Sequence, residues 1–123
     1  MVSANTKTSS INRDIEINSA ADMARAVKDD SPLILDVRSN DLFLKGHIPG
    51  ARSVPLSGFD RFIGTFFTNT PMDQKIIVYC SGRECTDSHT FASKLSEMGY
   101  ANVKVYAGGF MEWKDKGYKV AKD

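Results

Sequence analysis

The sequence predicts an α/β domain built on a mainly parallel sheet with helices on both faces. Three observations carry this expectation. Short apolar runs alternate along the chain with stretches of helical periodicity, in the order strand, helix, strand, turn, strand, helix, strand, helix, strand, helix. Two of the runs, Leu33-Ile34-Leu35 with Val37 and Ile76 to Tyr79, are nearly continuous, as strands covered on both faces are. The chain has 123 residues, enough for one core and too few for two.

Met1 to Arg13 is rich in Ser, Thr and Asn and is expected to be a flexible tail, leaving a domain over 14–123. Ile15 and Ile17 alternate with polar neighbours as in a short first strand. Ser19 and Asp22 make a capping box ahead of Ala20, Met23, Ala24 and Val27 at helical spacing, and Pro32 then breaks the chain. After the Leu33 strand, Asn40 to Lys45 predicts one or two helical turns with Leu42 and Phe43 inward. The glycines and proline of Gly46-His47-Ile48-Pro49-Gly50-Ala51 specify a tight, rigid connection.

Ser53-Val54-Pro55 reads as a short edge strand, because proline cannot donate to a ladder. From Ser57, with Asp60 completing a second capping box, Phe59, Phe62, Ile63, Phe66 and Phe67 form a helical apolar stripe that reads as core. Ile76 to Tyr79 is the most apolar strand and should be central. Thr86 or Asp87 then caps a helix with Phe91, Ala92, Leu95 and Met98 inward, ended by Gly99. Val103 and Val105 alternate as a last strand. Gly108-Gly109 turns the chain into a terminal helix carrying Phe110 and Trp113, closed by Gly117.

Cys80 stands where the central strand bends into its loop, ahead of a helix N-terminus. There a thiol meets unpaired backbone N–H groups and the positive end of the helix dipole, which favour thiolate. The competing reading is a small buried hydrophobe, since free cysteine is among the most buried residue types. Parallel strands bring Arg38, the Gly46 to Ala51 turn, Cys80 and the Gly108-Gly109 turn to one edge of the sheet, where open α/β sheets place their sites. Backbone amides from Ser81, Gly82, Arg83, Glu84, Cys85 and Thr86 are expected to cradle an anionic sulfur. Arg83, the only cation of that loop, reads either as a donor-binding group or as a solvated charge. Asp36 and Arg38 read as a salt bridge fixing the strand-to-loop turn, or as ligand groups. His47 reads as an orienting hydrogen-bond partner within its own turn rather than as a general base.

The formal charge of +1 predicts no strong attraction to nucleic acid or anionic lipid. No stretch approaches the roughly 18 apolar residues of a membrane span, and Met1 to Ser10 lacks a signal-peptide core. The chain therefore reads as soluble and cytoplasmic, with an exported mature form left open. Its two cysteines, Cys80 and Cys85, are no disulfide framework. Together with His47 and His89 they lack the spacing of a structural zinc site, so no metal is expected.

Several segments, taken together, resemble the single-domain rhodaneses, sulfurtransferases that carry sulfur as a cysteine persulfide. They are Leu35-Asp36-Val37-Arg38, Gly46-His47-Ile48-Pro49-Gly50-Ala51, Val78-Tyr79-Cys80, and the run from Gly99-Tyr100 through Asn102-Val103-Lys104-Val105-Tyr106 to Gly108-Gly109, Glu112-Trp113 and Gly117-Tyr118. The resemblance extends from about Ile15 to Val120. It implies a five-stranded rhodanese-like fold in which Cys80 attacks the outer sulfur of thiosulfate or a polysulfide and passes it to a thiol or to cyanide. It implies no metal or organic cofactor, a small sulfur donor and a thiol acceptor as partners, and a monomer or homodimer.

The active-site loop departs from the family's pattern. The common rhodanese loop ends with an arginine five positions after its cysteine, and Cys85 occupies that place here. The related cell-cycle phosphatases need an arginine six positions after theirs, and Thr86 stands there, which argues against phosphatase chemistry. Cys85 is thus a candidate resolving thiol, able to attack a Cys80 persulfide or sulfenic acid and close a disulfide, or else a residue packed beneath the loop. Two alternatives to sulfur transfer stand beside it: a thiol–disulfide redox enzyme or sensor using Cys80 and Cys85, and a non-catalytic binding module of the same fold.

Overall fold

The computed structural model describes residues 16–122. The element order is β1 (Glu16–Ile17), α1 (Ala20–Asp29), β2 (Leu33–Asp36), α2 (Asn40–Lys45), β3 (Ala51–Ser53), α3 (Phe59–Asn69), β4 (Ile76–Tyr79), α4 (Asp87–Glu97), β5 (Val103–Tyr106) and α5 (Gly109–Asp115). The tail expected over 1–13 and the Ile15 end of the first strand lie outside the described residues. The five strands pair in the order β1-β5-β4-β2-β3, every pairing parallel. As its composition requires, β4 takes the central place, and all four of its residues are buried.

Alternation along β4 decides which layer each residue serves. Ile76, Val78 and Cys80 face one way and pack with Phe59, Phe66, Phe91 and Leu95 of α3 and α4. Ile77 and Tyr79 face the other way, toward Met23 of α1 and Trp113 of α5. The site cysteine therefore lies on the face covered by α4, the helix that follows its own loop.

Several local expectations shift. Leu42 is 42% exposed, so of the pair expected inward on α2 only Phe43 is partly covered, and it stacks on His47 with ring centroids 3.7 Å apart. Phe67 and Met98, at the ends of their apolar stripes, are 46% and 37% exposed. A stripe wider than the contact leaves its flanks in solvent. The Ser57–Asp60 capping box does not form: Leu56–Gly58 makes a 3-10 turn that leads into α3, with Gly58 at its cap. Ser19 does cap α1, accepting from the Asp22 amide at 3.1 Å. That helix is stopped by Asp30 in the left-handed region (φ 65), ahead of Pro32. The edge strand falls on Ala51–Ser53, so that it shares only Ser53 with the expected span and ends two residues before Pro55. Gly99 (φ 111) and Gly117 (φ 83) terminate α4 and α5 as expected.

At the carboxyl end of the sheet, Tyr79 joins β4 to the β2 corner. Its hydroxyl donates to Asp36 Oδ2 at 2.7 Å and accepts from the Ile48 amide at 3.0 Å. Burial first, then the neighbouring Asp36 charge, pushes its phenol well above the usual 10.0. A folded-state value raised above the unfolded one means that this contribution is complete below pH 10 and is lost as pH rises beyond it. Tyr79→Phe is expected to cost about 1–3 kcal/mol at neutral pH, since the Ile48 amide loses its partner. The variant's melting temperature should also fall less steeply above pH 10 than the wild type's, as a pH series of thermal melts would show.

Candidate active site

The frame of the site is a buried ion pair at the end of β2. Arg38 Nε lies 3.0 Å from Asp36 Oδ1, its Nη2 lies 2.7 Å from Asp36 Oδ2, and the same nitrogen donates to the Gly46 carbonyl at 2.7 Å. The Arg38 backbone amide adds a bond to Asp36 Oδ1 at 3.0 Å. The guanidinium also sits over the Phe110 ring, 4.4 Å from its centroid. Asp36 and Arg38 thus tie β2, the Gly46 turn and α5 into one corner, and the carboxylate's bonds go to protein groups. His47, also buried, lies with Nδ1 2.9 Å from the Phe43 carbonyl, to which that nitrogen donates, while its backbone exchanges hydrogen bonds with Ala121. It fixes the turn between α2 and β3, with the carboxyl-terminal segment held beside it.

Cys80 follows β4 directly and is 1% exposed. The loop after it contains a tight reversal in which the Cys85 amide donates to the Gly82 carbonyl at 3.0 Å. That reversal returns the chain to its start: Cys80 and Cys85 are joined in a disulfide, with Cα atoms 6.4 Å apart. The Ser88 hydroxyl lies 3.3 Å from Cys80 Sγ, which places the sulfur against the first turn of α4. Around this disulfide the cradle differs from expectation. The Cys85 amide is spent in the turn, and the backbone group of Cys85 that lies beside Cys80 Sγ is its carbonyl, at 3.4 Å. The loop's bonds here are the turn, the sulfur–hydroxyl contact and the sulfur–carbonyl contact, with no ring of amides closed on the sulfur in this oxidised state.

A second support comes from α5. The amides of Phe110 and Met111 donate to the carbonyls of Cys80 (2.9 Å) and Ser81 (2.8 Å), so the start of α5 holds the loop's first residues in place. Only glycine fits between them. Gly109 has φ +66, and a Cβ there would meet the Cys80 carbonyl oxygen at 2.6 Å and the Gly82 nitrogen at 2.7 Å. Gly109→Ala should therefore cost at least about 1–2 kcal/mol from the left-handed backbone alone. In the reduced protein it should also change the rate at which Cys80 is alkylated, which a melting curve and an iodoacetamide time course would measure.

Among the charged loop residues, the Arg83 side chain is 58% exposed and stands 3.7 Å from Glu112 Oε2. Glu112 Oε1 in turn accepts from the Tyr106 hydroxyl at 2.8 Å, and burial together with that carboxylate raises the Tyr106 phenol. Glu84 and Thr86 are exposed, Gly82 is buried, and Ser81 is partly so. An open cleft runs along this side, lined by Ser81 to Cys85, Gly108, Met111 and Glu112. Of the loop residues singled out from the sequence, Ser81 to Glu84 thus share one cleft with Cys85, Thr86 faces a neighbouring one, and the buried Cys80 lines neither. Asp36, Arg38 and His47 do not line them.

Ser88, Tyr79 and Phe110 were not singled out from the sequence, yet each touches the site or its frame. Ser88 was open to discovery, because it precedes Phe91, Ala92 and Leu95 by three, four and seven positions and so shares their inward face. Tyr79 follows from strand parity with Ile77. Phe110 had no such signal, since its partner Arg38 is 72 positions away (110 − 38). Among the described residues no three His, Cys, Asp or Glu side chains gather where a metal would be held. No helix among them is long and apolar enough to cross a membrane.

Fold and site together define a class: a five-stranded parallel α/β domain that presents a cysteine on the loop between its central strand and the next helix. The rhodanese-like domain pattern matches residues 19–116, and the chain belongs to that family. A Schizosaccharomyces pombe protein named as a putative mitochondrial thiosulfate sulfurtransferase is 31% identical over 102 residues, covering 75% of this chain and 70% of its own. A Shewanella oneidensis protein named thiosulfate sulfurtransferase GlpE is 30% identical over 99 residues, covering 80% and 89%. The crystal structure of a rhodanese-related protein from Thermoplasma volcanium superposes with a TM-score of 0.70 at 27% identity, covering 88% of this chain and 98% of the other.

Proposed function

We propose that this protein is a rhodanese-type sulfurtransferase that carries sulfane sulfur as a persulfide on Cys80. The observation that carries this reading is the place of the Cys80 sulfur: at the carboxyl end of the central strand, against the first turn of α4, with the Ser88 hydroxyl at 3.3 Å. In the reduced protein that position favours a thiolate, which is the nucleophile sulfur transfer requires. The thiolate attacks the outer sulfur of thiosulfate or a polysulfide, and the persulfide then passes that sulfur to a thiol, or to cyanide in an assay. The names of the S. pombe and S. oneidensis relatives support this class of reaction.

Once the disulfide is opened, loop amides other than that of Cys85, which the turn to Gly82 holds, can face the persulfide anion, and exposed Arg83 stands at the cleft to attract an anionic donor. Asp36, Arg38 and His47 act as positioning residues that hold the strand end and the Gly46 turn. The test uses Cys85→Ser, which cannot close the disulfide. Treated with thiosulfate or polysulfide, freed of excess donor and then given cyanide, it should yield about one thiocyanate per chain. No thiocyanate from either donor would remove the reading.

The disulfide itself favours a second reading, a thiol–disulfide redox enzyme or sensor. Mild peroxide acting on the reduced protein, with no sulfur donor present, should then close the Cys80–Cys85 bond. If peroxide leaves both thiols free, or drives Cys80 to higher oxides first, that reading fails.

A further inference from the structure

We infer that Cys85 is the resolving thiol for the Cys80 persulfide, so that the protein reduces sulfane sulfur and releases it as sulfide. This rests on the persulfide reading above and adds a second step to it. The geometry that points to it is the loop reversal. The Cys85 amide bonded to the Gly82 carbonyl at 3.0 Å folds residues 82–85 back on themselves, and the two cysteine Cα atoms come to 6.4 Å, inside the range that disulfides occupy. Both cysteines of the chain are consumed in this one bond. Cys80 Sγ is held by the Ser88 hydroxyl at 3.3 Å and buried, whereas Cys85 is only partly buried and lines the cleft from which a donor enters.

A resolving sulfur in this position reaches the inner sulfur of the persulfide, because the bond it forms in the structure is to Cys80 Sγ itself. In the first step the Cys80 thiolate attacks the sulfane sulfur of thiosulfate. The donor's S–S bond breaks, and sulfite leaves with the electron pair. In the second step the Cys85 thiolate attacks Cys80 Sγ, the persulfide S–S bond breaks, and the outer sulfur leaves as hydrosulfide, taking the proton that Cys85 gave up. One sulfane sulfur is reduced by two electrons and two thiols are oxidised to one disulfide. Resetting the enzyme requires a dithiol reductant, which exchanges with the Cys80–Cys85 bond from the cleft side through Cys85.

A single-turnover experiment decides the matter. Reduced wild-type protein, freed of reductant and kept under anaerobic conditions, is mixed with thiosulfate, and sulfite, sulfide, cyanide-labile sulfur and intact mass are followed. The expected result is one sulfide for each sulfite, a protein lighter by two hydrogens, and almost no cyanide-labile sulfur. Cys85→Ser should release sulfite, keep the added sulfur in cyanide-labile form, and give at least about tenfold less sulfide. Wild-type protein that releases sulfite but retains cyanide-labile sulfur overturns the resolving role and leaves the sulfurtransferase reading intact. A labile sulfur found on Cys85 would likewise overturn it, showing attack at the outer sulfur. If no sulfite appears from wild type or Cys85→Ser, the persulfide reading itself fails and the resolving step falls with it.

Discussion

Replacing Cys80 by serine is expected to reduce sulfite release from thiosulfate to below about one-thousandth of the wild-type rate, as loss of a covalent nucleophile does. The substitution changes one atom at a site that is 1% exposed, so packing is nearly preserved. What changes is the chemistry. A serine hydroxyl is far harder to deprotonate than a thiol and a poorer nucleophile toward sulfur, and neither the first turn of α4 nor the nearby Ser88 hydroxyl can compensate. The comparison belongs with the reduced wild type, because Cys80→Ser also removes the cross-link. A reduced melting temperature close to that of the reduced parent, together with the lost rate, would assign the effect to chemistry.

The largest expected loss of stability comes from Asp36→Ala. Asp36 is fully buried, binds Arg38 through both oxygens, and accepts from the Tyr79 hydroxyl. Its removal leaves the Arg38 guanidinium buried, with the Gly46 carbonyl and the Phe110 and Tyr79 rings among its remaining contacts. Breaking a buried pair by deleting one partner costs about 3–5 kcal/mol, because the surviving charge stays desolvated. Denaturant unfolding should show that loss. Asp36→Asn, which keeps an acceptor but not the charge, should recover part of it. A loss under about 1 kcal/mol for the alanine variant would mean that Arg38 finds solvent and that the corner is not fixed by this pair.

Much of the fold was legible because burial leaves its period in the chain. The run Ile76 to Tyr79 could be covered on both faces only as a central strand, and it is the third of five. Gly99 and Gly117 marked helix ends that need a left-handed backbone. The errors fall where the local pattern is ambiguous about its partner. Leu42, Phe67 and Met98 obey a helical period yet lie beyond the contact each helix makes. Ser57 and Asp60 have capping-box spacing, but the chain approaches α3 through a 3-10 turn, so the helix begins after Ser57.

The site was legible in its residues and not in its state. Position left Cys80 open between nucleophile and buried hydrophobe, the resemblance to the rhodanese loop singled out both cysteines, and their five-residue spacing left open whether Cys85 packs beneath the loop or meets Cys80. The reversal at Gly82 decides this, and the residues that lead into it are held by the amides of Phe110 and Met111 from the far end of the chain. No pattern within the loop encodes that support. The Asp36–Arg38 pair was read from its spacing, whereas its ties to Gly46, Tyr79 and Phe110 are properties of the assembled sheet.

The central claim is that Cys80 holds the transferred sulfur. The most direct measurement gives the reduced Cys85→Ser and Cys80→Ser proteins thiosulfate labelled with a heavy isotope at its outer sulfur, then reads intact mass before and after cyanide. The account predicts a gain of one heavy sulfur in Cys85→Ser, removed by cyanide, and no gain in Cys80→Ser. A cyanide-removable heavy sulfur on Cys80→Ser, or none on Cys85→Ser, would contradict it.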